Sequence, residues 1–269
     1  MRFPFAEQPV SEEVPVHGHQ AELPSATGPN GFQPRGGEIA ELPIFSGLDH
    51  ELMKGLLAGA KDQQVRPGTL IIRQGEFTPA LHVILRGIVD LTHVSAKSEC
   101  GVLLLSGKDL LLPATTLFHE PALVSARALT NVRILTLDGM AVEAALARSA
   151  ALTTSLMKAM SGQWRMAVRN ILDLNCRSAA QRVGAFLLRI ADLQSDTAAP
   201  VLPIAKRHLA VRLGMTAETL SRMLQTVADH GLHLRGRTIV IRDRAAIEDF
   251  CGPDPYPVRD ERLLDVFAL

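Results

Sequence analysis

Residues Pro203 to Gly231, PIAKRHLAVRLGMTAETLSRMLQTVADHG, constrain this chain more than any other stretch. They read as two short amphipathic helices about a Leu213-Gly214-Met215 turn. In the first, Ile204, Leu209, Val211 and Leu213 give the apolar side, and Lys206, Arg207 and Arg212 the polar side. Gly214 falls where the chain must reverse sharply, which predicts a positive φ. Thr216 suits the N-cap of the second helix, and Glu218 its first turn. Leu220, Met223, Leu224 and Val227 recur at i, i+3, i+4, i+7 as a buried stripe, and Glu218, Ser221 and Arg222 share the opposite, exposed face. Helix, glycine turn, helix with a polar reading face is the helix-turn-helix pattern. An ordinary helical hairpin has the same periodicity, so the next residues matter. Leu232 to Asp243, LHLRGRTIVIRD, reads as a hairpin around Arg235-Gly236-Arg237, with Ile239 and Ile241 alternating. A hairpin directly after the second helix is the wing of a winged helix, and its basic tip suits a phosphate.

Charge supports this reading. The chain has 28 Lys+Arg and 28 Asp+Glu, yet Trp164 to Arg244 holds 13 against 6. A basic segment inside a neutral protein points to a local polyanion surface. The 269 residues accommodate two modest domains. No run of about 18 uncharged apolar residues exists, and MRFPFAEQPV has no apolar signal core, so a cytoplasmic protein without a membrane span is expected. Cys100, Cys176 and Cys251 form no C-x-x-C, and an odd count argues against a disulfide framework; buried thiols are expected.

Taken in order, residues 1–38 are rich in Pro, Gly, Ser and Glu and read as a flexible leader. Its His17-x-His19 is a weak metal signal, better read as incidental. Leu42, Ile44, Phe45, Leu48, Leu52, Leu56 and Leu57 give short helical pieces. From Arg66 to Leu137 the texture changes to short strands with glycines at turns, which suggests a small β-barrel or roll. From Asp138 to Leu174 a short helix precedes a longer one. Along the longer one Ala150, Thr153, Met157, Met160, Trp164, Ala167, Ile171 and Leu174 repeat at alternating spacings of 3 and 4, a heptad seam. A second stripe, Leu152, Leu156 and Ala159, would pin the helix to its own domain. The seam then predicts a homodimer and two half-sites about one helical turn apart. Arg177 to Asp192 reads as the first helix of the DNA-binding domain. The divisions expected are a leader 1–38, a β-roll 39–137, a connecting and dimerisation helix 138–175, a winged helix-turn-helix 176–250 and a tail 251–269. The expected class is α+β.

With G-x-L-x-x-x-x-G (Gly68, Leu70, Gly75) and V-x-x-x-G-x-V (Val83, Gly87, Val89), this order resembles the family of the cyclic-AMP receptor protein and Fnr over about residues 40–250. The resemblance implies a dimeric, ligand-gated transcription regulator with a cyclic-nucleotide-binding-like jelly roll, acting with RNA polymerase. E-x-x-S-R (Glu218, Ser221, Arg222) is similar to the Fnr-branch recognition helix, and suggests TTGA-like half-sites in an inverted repeat. Chemistry agrees: Arg222 can donate twice to guanine O6/N7, Glu218 can accept from cytosine N4, and Ser221 is small enough to meet a thymine. The DNA-contacting set expected is Lys206, Arg207, Thr216, Glu218, Thr219, Ser221, Arg222, Arg235 and Arg237.

The sensor departs from the family pattern. Leu111 and Leu112 stand where cyclic-nucleotide binders have Gly-Glu, and the Arg-Ser position falls near Ala122-Leu123. A cyclic phosphate needs a cation or backbone donors, so cyclic AMP is not expected. Residues 1–60 contain no cysteine, so an iron–sulfur cluster is not expected either. What remains is an apolar pocket expected around Leu110, Leu111, Leu112, Pro113, Leu117 and Phe118, with Arg127 nearby. It reads as plain core packing, as a site for a hydrophobic effector, or as a haem site with His82, His93 or His119 as candidate ligands. No G-x-S-x-G, H-E-x-x-H or G-x-x-x-x-G-K-[ST] occurs, which speaks against an enzyme.

Overall fold

The computed structural model describes residues 39–96, 99–194 and 199–252. The leader, with His17 and His19, and the tail beyond Gly252 lie outside the described residues.

Eight strands follow one another as β1 Lys61–Val65, β2 Leu70–Ile72, β3 Ala80–Arg86, β4 Val89–Val94, β5 Glu99–Leu105, β6 Leu110–Leu111, β7 Ser125–Ala128 and β8 Val132–Asp138. They form two four-stranded antiparallel sheets, ordered β1-β8-β3-β6 and β2-β7-β4-β5. Alternation explains the layering. In β4, Val89 and Leu91 point into the roll with Ile84, Leu103, Leu105 and Ile134, whereas Ile88 joins a different core. Gly87 turns β3 into β4 at φ 95°, and a Cβ there would sit 2.4 Å from the Asn131 carbonyl oxygen, so only glycine fits.

Four helices surround the first sheet: α1 His50–Leu57, α2 Pro113–Leu117, α3 Gly139–Leu146 and α4 Ala150–Cys176. Leu56, Leu81, Leu135, Val142, Leu152 and Leu156 share one apolar cluster, which fastens the start of α4 to the roll. Ser149 caps α4 by accepting from the Leu152 N–H. At 27 residues α4 is about 40 Å long. Past Leu156 its seam divides. Met160 and Ala167 rest on the roll clusters, whereas Met157 (63%), Trp164 (69%), Ile171 and Leu174 stand exposed in a row. This leaves a contiguous apolar row along one side of α4 open to solvent.

Two strands escape the sequence pattern. β1 (KDQQV) is polar, yet pairs along its whole length with β8, and Asp62 accepts a forked pair of hydrogen bonds from Arg133 at 2.6–3.1 Å. β7 (SARA) is too short and too small to show a period. The thiols correct an expectation: Cys251 is buried, but Cys100 and Cys176 are exposed and all three are free.

Candidate nucleic-acid interface

The C-terminal unit is built from α5 Ala179–Leu193, α6 Lys206–Arg212, α7 Ala217–Asp229, the hairpin β9 Leu232–Arg235 with β10 Thr238–Ile241, and α8 Arg244–Cys251. Ser178 and Gln181 close a capping box at the start of α5. Val183, Leu187, Leu209, Leu220, Val227 and Ile247 form the shared core. Sequence reasoning missed α8. Its signal was Asp243 as N-cap, accepting from Ala246 N–H at 2.9 Å, with Ile247 and Cys251 four apart on the buried side.

Gly214 makes the α6–α7 reversal at φ 65°. Thr216 then caps α7, its Oγ1 accepting from the Thr219 N–H at 3.2 Å and donating to Thr219 Oγ1 at 3.0 Å. Below, Leu220 and Val227 are buried and Met223 and Leu224 half-buried. That anchoring fixes the rotation of α7, so Glu218, Ser221 and Arg222 face solvent together. Glu218 and Arg222 approach to 3.9 Å, an exposed i,i+4 pair of about 0.3–0.5 kcal/mol, weak enough for both side chains to turn to a ligand.

The other expected contacts divide. Lys206 and Arg235 are exposed, at the start of α6 and beside the wing turn. Arg237 turns back, its Nε donating to the Leu202 carbonyl at 2.9 Å, which ties the wing to the segment before α6. Arg207 donates to His208 Nε2 at 3.1 Å and lines a cleft against the roll rather than joining Glu218 and Arg222. Arg212, expected on the polar side, instead buries the end of its guanidinium at the roll.

A Crp-like helix-turn-helix model matches residues 181–250, and a cyclic nucleotide-binding domain model matches residues 62–149. The chain is similar to the CRP-like cAMP-activated global transcriptional regulator of Mycobacterium tuberculosis, 22% identical over 76% of this chain and 94% of that protein. It is 26% identical to the cyclic AMP receptor protein of Thermus thermophilus, over 77% and 95%. The solved FixK2 of Bradyrhizobium japonicum superposes with a TM-score of 0.63 at 22% identity, over 72% and 98%. The chain belongs to the Crp/Fnr family of transcription regulators. Like other Crp/Fnr regulators it joins a cyclic-nucleotide-binding-type roll to a DNA-binding head. Among the described residues no helix is long and apolar enough to cross a membrane.

In this Crp/Fnr chain the five residues expected at the effector pocket have different surroundings. Leu111 is fully buried in the roll interior, Leu112 caps α2 in a left-handed conformation, Leu117 is half-buried against α3, and Phe118 is 64% exposed. Arg127 lies on the outer face of the second sheet and donates to the Gly68 carbonyl at 2.7 Å, so it offers no cation inside the roll. Strand alternation separates Leu110 from Leu111 and sends them to different clusters. Each histidine weighed as a haem ligand is engaged by a protein group. His82 is wedged in the packed sheet with Nδ1 3.0 Å from Thr136 Oγ1, His93 reaches the Leu123 carbonyl at 3.2 Å, and His119 lies 3.6 Å from Glu143. Burial pushes His82 down to about 4, so it stays neutral. The apolar cavity between α1, α3, α4 and the first sheet has room for only about 10 Å³.

Proposed function

We propose that this regulator binds DNA as a homodimer, reading an inverted repeat with TTGA-like half-sites through Glu218, Ser221 and Arg222. The observation that carries the reading is that outward edge, rigidly mounted on a capped, core-anchored helix. Arg222 takes the guanine and Glu218 the cytosine of the neighbouring pair, with Lys206 and Arg235 on phosphates. Met157, Trp164, Ile171 and Leu174 pair with their equivalents across a two-fold axis, and burying each contributes about 1.5–3 kcal/mol. RNA polymerase is the proposed partner on the promoter.

Gating by a small effector inside the roll would require its interior to open. The packed interior of Ile84, Leu91, Leu103, Leu105 and Leu111 favours a second reading, in which the roll is a scaffold and DNA binding needs no molecule there. Fluorescence anisotropy on a TTGA inverted repeat and a scrambled duplex tests the first claim. The parent protein is expected to prefer the repeat by a thousandfold or more. Equal affinity for both would overturn it.

A further inference from the structure

The DNA-reading head sits on the outer face of the roll's second sheet. Ile88 and Leu104 from that face belong to the same apolar cluster as Leu209 and Leu213 of the head. Backbones come close at one point: a Cβ on Gly101 in β5 would lie 2.8 Å from the Arg212 Cα. Into this contact the sheet sends Asp90 and the head sends Arg212. Asp90 is 3% exposed. Asp90 Oδ1 and Arg212 Nη1 are both buried, and neither has a hydrogen-bond partner. A buried charge left partly unsatisfied costs free energy, and the opposite charge offsets it only when the geometry closes. Here it does not close. Beside the pair a cleft of about 220 Å³ runs between roll and head, lined by Glu99, Arg127, Arg207 and His208 among others.

We propose that Asp90 and Arg212 are positioning residues for the reading head: an unclosed charge pair that keeps the head's seat on the roll weak enough to shift, and so sets how α7 is presented. The proposal rests on the reading of Lys206–Ile241 as the DNA-binding head. Neutralising Arg212 leaves the Asp90 carboxylate buried alone and loosens the seat, whereas neutralising Asp90, whose charge burial disfavours, tightens it. Replacing both with apolar side chains of similar size removes the penalty and tightens it.

A pH signature distinguishes this from simple packing. Burial raises Asp90 to about 6, partly offset by Arg212 and reinforced by Glu99. A released Asp90 returns to its ordinary value of 3.8. The raised value in the seated state means protonation favours seating: the gain is complete below about 3.8 and is lost as pH rises through about 6. His208 opposes this, because burial, then Arg207, lower its own titration. Arg127, Arg189 and Asp173 complete the charges acting on the two sides. The difference between parent and Asp90→Asn isolates Asp90 from these.

The test is hydrogen exchange on the intact protein, comparing the parent with Asp90→Asn, Arg212→Met and Asp90→Leu/Arg212→Met. At pH 8, protection of Glu99–Leu105 and Lys206–Arg212 is expected to fall at least tenfold in Arg212→Met and to rise at least tenfold in Asp90→Asn and in the double variant. Protection of Ala80–Arg86 stays at the parent level and reports that the roll is folded. If one single variant does not fold, the other single and the double still decide. Unchanged protection in all, tighter seating in Arg212→Met, looser seating in Asp90→Asn, or a double variant as loose as Arg212→Met overturns the proposal. So does a parent-minus-Asp90→Asn difference that is flat between pH 4 and 6. Affinity for the inverted repeat is expected to move in opposite directions in Arg212→Met and in the double variant, and movement in one direction overturns the link to DNA reading. The exchange readout uses no DNA, so it stands apart from failure of the half-site assignment.

Discussion

Arg222 carries the most specific prediction at the residue scale. Its guanidinium is exposed and held only by Glu218 at 3.9 Å, so truncation barely touches the fold. Arg222→Ala is expected to lose about 1–3 kcal/mol of discrimination at one G·C pair. Anisotropy against duplexes substituted at that pair checks it, and a uniform loss at every pair would reassign Arg222 to the phosphates. His82 makes a separate prediction about stability. Burial holds it at about 4, against an ordinary 6.5, so the folded state resists protonation. The stability is present above about 6.5 and is lost as pH falls through about 4, on the order of 3 kcal/mol in all. Denaturant unfolding at several pH values should show this fall in the parent and a shallower one in His82→Gln. Parallel curves would remove His82 from the account. Neither the burial of His82 nor the turning of Arg212 was legible in the sequence. Both depend on partners supplied from far along the chain, Thr136 for one and the second sheet for the other.

The element that reads DNA was the most legible, because its signals are local. Gly214, Thr216 and the Leu220–Val227 stripe each specify the same helix-turn-helix, and the observed φ of 65° and the Thr216 cap follow from them. Thr216→Ala is expected to cost about 1 kcal/mol of stability, measured by chemical denaturation, and to weaken DNA binding by loosening the first turn of α7. The wing was legible for the same reason. Its arginines were not, since whether Arg237 faces outward or bonds Leu202 is decided by a segment more than 30 positions away. In the roll, β1 and β7 carried no period, because one is polar along its length and the other is SARA. The leucines from Leu110 to Leu112 were read as one apolar pocket. Strand alternation and a left-handed cap divide them among different surroundings, which a run of apolar residues alone does not reveal.

At the scale of the whole molecule, α4 carries the account. Its first turns are fixed to the roll by Leu152 and Leu156, while Met157, Trp164 and Ile171 remain uncovered. The heptad was legible, and so was its second stripe, because both are periodic over many residues. Trp164→Glu with Ile171→Glu is expected to give a single chain in sedimentation, with the roll still folded and affinity for the inverted repeat reduced at least a hundredfold. A dimer that persists would move the interface elsewhere. The central claim is that two copies of the Glu218-Ser221-Arg222 edge are held at a fixed separation. It is tested most directly by binding to two duplexes, one with TTGA half-sites about one helical turn apart and one with about half a turn of DNA inserted between them. The account predicts two chains per duplex on the first and a loss of tenfold or more on the second, where one half-site faces away. Equal affinity for the two duplexes, with one chain bound to each, would contradict it.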